Sequence, residues 1–284
     1  RTNMKTYLDC IPCFFRQAIT AGRVTGADDA RMKAILDEVA RMIPELPLEM
    51  PPPLIADTMY RRIRHLTREP DPYLALKRES IETALALLPA MRHHMRQSSD
   101  PLMTAIRVAI AGNVIDVGVH KEYDIERDLY RILEQEFAIL DYAPFVEHLS
   151  RARSVLYLGD NAGESVFDRL LIEAMGKPVT YAVRSAPVLN DQTVEDAIAS
   201  GLDQVARIIE SGSTAPATIL SQCTPEFLAL FESADLVISK GQGNYEGLSE
   251  VDRPVFFFLK AKCSVIARDL AVPEDSIVMK AINA

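Results

Sequence analysis

The pattern of hydrophobic and polar positions along the chain changes near residue 150. Before that point apolar residues recur every three to four positions, which predicts amphipathic helices. The clearest stripe, within residues 72–91, consists of Leu74, Ile81, Ala84, Leu88 and Met91. Comparable spacing predicts helices over residues 30–43, 52–66, 102–111 and 125–140. Residues 4–150 are therefore predicted to form a helical region.

After Arg153 short apolar runs alternate with helical stretches. The runs cover residues 155–158, 179–183, 205–209, 236–239, 255–259 and 277–279. This alternation is typical of βαβ units with a parallel sheet. The predicted fold class is α/β: a Rossmann-like three-layer domain with a mostly parallel sheet over residues 151–284, preceded by the helical region. We expect the helices to cover the ends of the strands.

The turn after the first predicted strand carries the most informative polar residues. Asp160 and Asn161 come where ligands bind in open α/β sheets. Two adjacent oxygen ligands suit a divalent cation, but Asp and Asn are also the preferred N-caps of helices. Glu164 follows in the first turn of the next helix. It is a candidate for orienting an attacking water, or it interacts favourably with the helix N-terminus.

Three later stretches are expected at the same edge of the sheet. Asp191, after the second strand, is a possible third oxygen ligand or a helix cap. Lys240 adds a point charge to the backbone amides near Gly241 and Gly243, an arrangement that binds phosphate, although such glycines often only form turns. Lys260 ends an apolar strand, either as an edge residue that reaches solvent or as a charge aimed at a ligand.

Two motifs in the helical region have less certain roles. Asn113 and Asp116 follow a helix predicted to end at Gly112, so they either reach the substrate from above or cap and turn the chain. Cys10 and Cys13 form a Cys-x-x-Cys pair, which can be redox-active or half of a zinc site. The helical pattern that continues after them, and the lack of a second such pair, favour structural packing.

Composition narrows the classes of partner. The net charge of −9, without a dense Lys/Arg run, argues against a nucleic-acid surface. No apolar stretch approaches the roughly 18 to 20 residues of a membrane span, and no signal peptide is recognisable, so we expect no membrane association. Four cysteines among 284 residues do not make a disulfide framework, which favours the cytoplasm. The oligomeric state stays open.

The motifs taken together, in this order, are far more specific than any one of them. They are Asp9-Cys-Ile-Pro-Cys13, Arg107 with Ala-Gly-Asn113-Val-Ile-Asp116, Gly-Asp160-Asn161-Ala-Gly-Glu164, Arg184 with Asn190-Asp191, Ser-Lys240-Gly-Gln-Gly-Asn244, and Leu-Lys260-Ala-Lys-Cys263. The series resembles the metal-dependent damage-control phosphatase family, over nearly the whole chain. It is most similar to the small prokaryotic and archaeal branch that has an N-terminal Cys-x-x-Cys.

The resemblance implies roles for individual residues. The residues that match the family's metal ligands are Asp160, Asn161 and Asp191. The residues that match its substrate-phosphate contacts are Lys240, Gly241, Gly243, Asn244 and Lys260. Asn113, Asp116 and Arg184, which belong to the same series of motifs, are further candidates for contact with the substrate. The implied cofactor is Mn²⁺, Mg²⁺, Co²⁺ or Ni²⁺, and the implied substrate is a small phosphorylated metabolite. The eukaryotic branch has an Arg-Thr pair where this chain has Phe257 and Phe258, so its sugar-phosphate preference is not carried over.

Two alternative chemistries are weighed against attack by metal-activated water. In an aspartyl-phosphate mechanism of the haloacid-dehalogenase kind a second aspartate would follow Asp160 by two positions, where this chain has Ala162. An S-adenosylmethionine-dependent carboxyl methyltransferase would also place a glycine and an acid after the first strand. Its usual Gly-x-Gly turn is absent, because Gly159 and Gly163 flank Asp-Asn-Ala. Water attack is the preferred hypothesis.

Overall fold

A computed structural model of the chain describes residues 4–114 and 125–284, except for the side chains at 114, 125, 126 and 128. The first part contains the helices α1 (Cys10–Val24), α2 (Asp29–Met42), α3 (Pro52–Thr67), α4 (Leu74–Gln97), α5 (Pro101–Ala111) and α6 (Ile125–Glu134). As predicted, α5 ends before Gly112, and a short 3-10 turn, Gly112–Val114, follows it. None of the helices in these ranges is long and apolar enough to cross a membrane.

The second part is a seven-stranded sheet with helices between its strands. The strands are β1 (Phe137–Leu140), β2 (Val155–Leu158), β3 (Val179–Val183), β4 (Arg207–Glu210), β5 (Leu236–Lys240), β6 (Val255–Lys260) and β7 (Ile277–Ile282). The helices are α7 (Tyr142–Arg151), α8 (Ser165–Met175), α9 (Val194–Ala199), α10 (Pro225–Ser233), α11 (Gly241–Leu248) and α12 (Ser264–Leu270). The predicted α/β class with a mostly parallel sheet is confirmed.

The order of the strands creates a switch point in the middle of the sheet. The order is β1-β7-β6-β5-β2-β3-β4, and every neighbouring pair is parallel except β6 and β7. From β2 the chain proceeds through β3 to β4 on one side, and β5 then returns to the other side of β2. The loops after β2 and β5 consequently diverge and leave a crevice between them, which is where open α/β sheets bind ligands.

The sheet is buried on both faces, as the continuous apolar strands predict. Along β2, Val155 and Tyr157 join a core cluster on one face, while Leu156 and Leu158 join a second cluster on the other. Helices α4, α5 and α8 contribute to the first cluster. Helices α1, α2 and α3 form a separate cluster that includes Val188 from the loop after β3. The helical region therefore covers both one face and the ligand-binding edge.

Three details differ from the sequence predictions. Residues 137–140 form an edge strand rather than the end of a helix, because this short run, Phe-Ala-Ile-Leu, pairs in parallel with β7. Such runs do not distinguish strand from helix by periodicity. Strand β4 begins at Arg207 rather than at 205. Lys77, which is not part of the predicted apolar stripe of its helix, is nevertheless fully buried and pairs with Asp196 at 2.5 Å and with Asp71 at 2.8 Å.

Candidate active site at the carboxyl ends of β2 and β5

A cavity of about 700 Å³ lies at the switch point. Its floor comes from the loops after β2 and β3, which supply Asp160, Asn161 and Asp191, and Asn113 joins them from the turn after α5. Helix α1 also lines the cavity, with residues from its successive turns that begin at Cys10. The structure thus brings together the residues matched to metal ligands, although they come from separate stretches of the chain.

Backbone contacts hold the two acidic loops against each other. Asn161 and Asp191 form an isolated antiparallel bridge, and the Gln192 amide donates to the Asp160 carbonyl oxygen at 3.0 Å. Burial, and then the charge of Asp191, raise the pKa of Asp160 to about 6 against the opposing charge of Arg184. Burial also raises the pKa of Asp191. Two buried carboxylates that disfavour each other's charge are an environment that a cation would stabilise.

Gly241 allows β5 to approach the first carboxylate. Its φ is +79°, in the left-handed region, and a Cβ added there would lie 1.9 Å from Oδ2 of Asp160. The segment predicted as a glycine-rich loop is in fact the end of β5 and the first turn of α11. Gly243 does line the cavity, and a Cβ there would lie 2.2 Å from the Pro216 carbonyl oxygen. Both glycines permit close approach by the backbone.

Arg184 and Asn244 lie behind the carboxylates and bind other protein groups. Arg184 donates from Nε to Asp191 at 2.7 Å and from Nη2 to Asn244 at 3.1 Å, and its Nη2 lies 3.9 Å from Oδ1 of Asp160. Asn244 donates to the carbonyl oxygens of Gly159 at 3.0 Å and Lys240 at 2.8 Å. Both side chains are buried. In this arrangement they tie the ends of β2, β3 and β5 together.

Lys240 is the centre of a buried charge network rather than part of the cavity lining. Its ammonium donates to Glu164, to Asp168 at 2.6 Å and to the Ala109 carbonyl oxygen at 2.9 Å. Burial alone would lower its pKa, but Asp168 and Glu164 outweigh that effect and raise it. Burial raises the pKa of Glu164 to about 7, although Lys240 opposes the shift. The hydroxyl of Tyr157 also donates to Asp168, at 2.7 Å.

Asn113 connects this network to the cavity. Its Nδ2 donates to Asp160 at 2.9 Å and to Glu164 at 2.6 Å. Its Oδ1 is buried and has no hydrogen-bond partner within residues 4–114 and 125–284. Asn113 is itself one of the residues that line the cavity. Asp116, its predicted companion, lies outside the described residues.

The basic residues near β6 differ in how they are engaged. Lys260 pairs with Asp275 at 2.6 Å and is not among the residues that line the cavity. Lys262, two residues later, does line the cavity. Its positive charge tends to lower the pKa of Asp160, but the effect of burial is larger and raises that pKa. Its backbone amide is held by Gln242 Oε1 at 3.0 Å. Among the described cavity residues, only Lys262 and Arg16 are basic.

Three of the four cysteines line the same cavity. Cys10 and Cys13 lie one turn apart on α1, and Cys263 precedes α12. Burial raises the pKa of Cys10 to about 11 and also raises that of Cys13, so both thiols are neutral at pH 7. All of these cysteines are free thiols. The sequence placed the Cys-x-x-Cys pair on a helix but did not indicate its position beside Asp160.

The side chains at the floor of the cavity supply oxygen donors for a divalent cation. Among the described residues, no three His, Cys, Asp or Glu side chains are arranged to hold a metal ion. The site instead offers two buried carboxylates, Asp160 and Asp191, together with amide oxygens of Asn161 and the unpartnered Oδ1 of Asn113. Oxygen donors of this kind suit Mg²⁺ or Mn²⁺. These residues fit such an ion if the amide oxygens of Asn161 and Asn113 join the two carboxylates as ligands.

Several residues of this site were missed by sequence reasoning. Asp168 interrupts the apolar positions of α8, and a charge there was the available signal of a buried pair. Glu246 lines the cavity four residues after Gln242, which donates to it at 3.0 Å. Burial raises the pKa of Glu246 to about 7. Nothing in its local sequence distinguished Glu246 from a solvated helical residue.

Fold and site together define an α/β protein with an acidic ligand cavity at its switch point. Residues 6–278 match the family model for the damage-control phosphatase ARMT1-like domain, and the chain belongs to that family. The resemblance drawn from the motifs is therefore confirmed.

Relatives and a solved structure cover nearly the whole chain. It is 33% identical over 293 residues to an uncharacterized protein of Methanocaldococcus jannaschii, MJ0202, covering 98% of this chain and 96% of that one. It is 32% identical over 283 residues to the damage-control phosphatase PH1575 of Pyrococcus horikoshii, covering 97% of each. The crystal structure of that DUF89 family protein matches with a TM-score of 0.89 at 29% identity, over 98% of this chain and 99% of the other.

Proposed function

We propose that this protein is a metal-dependent phosphatase that hydrolyses a small phosphorylated metabolite by attack of water. The observation that carries the proposal is the pair of buried carboxylates, Asp160 and Asp191, at a cavity in the switch point that Lys262 also lines. Membership of a family whose relatives are named damage-control phosphatases supports the phosphate ester as substrate. The carboxylates account for a cation, and Lys262 accounts for the anionic group.

In this proposal Asp160, Asp191 and the amide oxygens of Asn161 and Asn113 hold the divalent ion. When bound, such an ion lowers the pKa of water and offsets charge on the phosphoryl group. Lys262 attracts a phosphate oxygen from the carboxyl end of β6, which is electrostatic positioning rather than covalent work.

Glu246 is the proposed proton acceptor for the attacking water. It lines the cavity, and burial brings its pKa to about 7, close to the pH at which a general base works best. Glu164, which the sequence made a candidate for orienting the attacking water, is 1% exposed and bonded to Lys240 and Asn113. We propose that Glu164 positions the side chain of Asn113. In this way it also positions the Oδ1 of Asn113 and the Asp160 carboxylate, to which Asn113 donates.

The proposal is tested by phosphate release from a panel of metabolite phosphates after metal stripping. The stripped protein should be inactive, and adding Mn²⁺, Mg²⁺, Co²⁺ or Ni²⁺ singly should restore release with at least one of them. The same metals without protein give the background rate. Equal release by the stripped and reloaded protein would contradict metal dependence, and no release above background under any condition would contradict the phosphatase.

A further inference from the structure

The cavity is larger than a single phosphate group requires. Its volume of about 700 Å³ is within the range of roughly 300 to 1,000 Å³ that encloses a whole small molecule. Its lining also includes the apolar or aromatic side chains Phe14, Tyr73, Leu76 and Leu189. A substrate that fills this space therefore has a partly apolar body beyond its phosphate group.

Positive charge is available in the cavity on two different elements. Lys262 lies two residues beyond the end of β6 and Arg16 lies on α1, and both line the cavity. Other basic side chains near the site are already engaged: Lys240 with Glu164 and Asp168, and Arg184 with Asp191.

Arg16 has no carboxylate partner among residues 4–114 and 125–284. Within the same ranges its side chain makes a hydrogen bond to the Cys13 sulfur, one turn earlier on α1. An Arg guanidinium carries five donors in a planar fork that matches a carboxylate or phosphate. Asp9, the acid just before α1, is paired with Arg268 on another element. Within the described part of the chain, the fork of Arg16 is thus open to an anion.

We propose that the substrate carries a second anionic group, a phosphate or carboxylate, which Arg16 binds while Lys262 attracts the reacting phosphate. This inference rests on the proposed phosphatase function and extends it to a substrate class: small metabolites with two anionic groups on a partly apolar body. Arg16 is a specificity residue, because it contacts the second anionic group and not the reacting atoms.

The test compares an alkyl monophosphate with the alkanediol bisphosphate of the same chain length. We expect the KM of the wild-type protein for the bisphosphate to be lower by about tenfold, the effect of one hydrogen-bonded charge pair. Arg16→Gln should bring the ratio of the two KM values close to one, and Arg16→Lys should retain part of the preference. Arg23→Gln is the matched control, since Arg23 is exposed on the same helix and is not part of the cavity lining.

Binding gives a readout that does not depend on turnover. The alkane bisphosphonate of matching length should bind the wild-type protein, measured by calorimetry, about tenfold more tightly than it binds Arg16→Gln. The assignment of Arg16 would be overturned, with the phosphatase intact, if the wild-type protein hydrolysed both esters with equal KM or if Arg16→Gln kept the lower KM for the bisphosphate. Equal binding of the bisphosphonate by the wild type and Arg16→Gln would overturn the same assignment independently of turnover. If neither ester were hydrolysed, the phosphatase itself would be in question.

Discussion

Replacing Lys240 with methionine removes the cation that Glu164 and Asp168 share in a network that solvent does not reach. Lys240, Glu164 and Asp168 have side chains that are 0% exposed, and the ammonium also binds the Ala109 carbonyl oxygen. Methionine keeps the length of the side chain but leaves two buried carboxylates without a counter-charge. Breaking a buried pair in this way typically costs about 3 to 5 kcal/mol, and we expect that loss in the free energy of unfolding of Lys240→Met.

The loss should depend on pH. The pKa of Glu164 is already raised to about 7 with Lys240 present, from an unfolded value near 4.5. A carboxyl whose pKa is raised by folding contributes stability that is complete below the unfolded pKa and is lost as pH rises through the folded one. Without Lys240 the carboxyls are protonated over a wider range, so the deficit of Lys240→Met should be smallest near pH 5 and largest above pH 7.

Urea unfolding at several pH values measures both effects. The control is Lys33→Met, which removes a lysine that pairs with Asp37 at 2.6 Å but has a side chain 70% exposed. An exposed pair is worth less than about 1 kcal/mol. The double variant Lys240→Met with Glu164→Gln should recover part of the stability. A deficit for Lys240→Met no larger than that of the control, or one independent of pH, would refute the buried network.

Three further predictions concern the cavity. Gly241→Ala should abolish metal-dependent activity because its Cβ would meet the neighbouring carboxylate, whereas Gly26→Ala, at φ +66° with open space around it, should lose stability only and keep turnover. Glu246→Gln should remove the rise of kcat through about pH 7 in the pH profile, because the pKa of Glu246 is about 7 and the base must be deprotonated; an unchanged profile would exclude it as base. The Ser variants of Cys10 and Cys13 should keep turnover within about tenfold, since neutral thiols supply no charge; a greater loss in folded protein would contradict their packing role.

The fold class and the floor of the site could be predicted because their signals are local. Continuous apolar runs specify buried strands, and polar residues directly after them lie at the carboxyl edge of a parallel sheet. Asp160 and Asp191 were placed in this way, and the structure brings both to one cavity. Edge strand β1 could not be predicted, because a run of four apolar residues has no period that separates strand from helix.

The direction of a charged side chain could not be read from the sequence. Lys240, Lys260 and Lys262 all follow or end a strand, yet Lys240 turns into a buried ion network and Lys260 pairs with Asp275. Only Lys262 lines the cavity. The difference depends on tertiary partners such as Asp168, which lies 72 residues before Lys240 in the chain.

The most direct test of the metal site replaces Asp160 with asparagine. The N-cap of α8 is Glu164 and not Asp160, and asparagine has nearly the size and shape of aspartate, so folding should be retained. One negative charge is removed from the proposed ligands. Wild-type protein should melt at a higher temperature with Mn²⁺ than without, because a ligand of the native state stabilises it. Since the pKa of Asp160 is about 6, protons should compete with the metal and this increment should shrink below that pH.

The deciding measurement is the melting temperature with and without Mn²⁺ at neutral pH. Phosphate release is measured on the same samples. The control is Asp203→Asn, an exposed aspartate that is not part of the cavity lining. We predict that Asp160→Asn loses both the Mn²⁺ increment and phosphate release, while the control keeps both. If Asp160→Asn keeps the wild-type increment and the wild-type rate, the carboxylates at the switch point do not hold a catalytic metal.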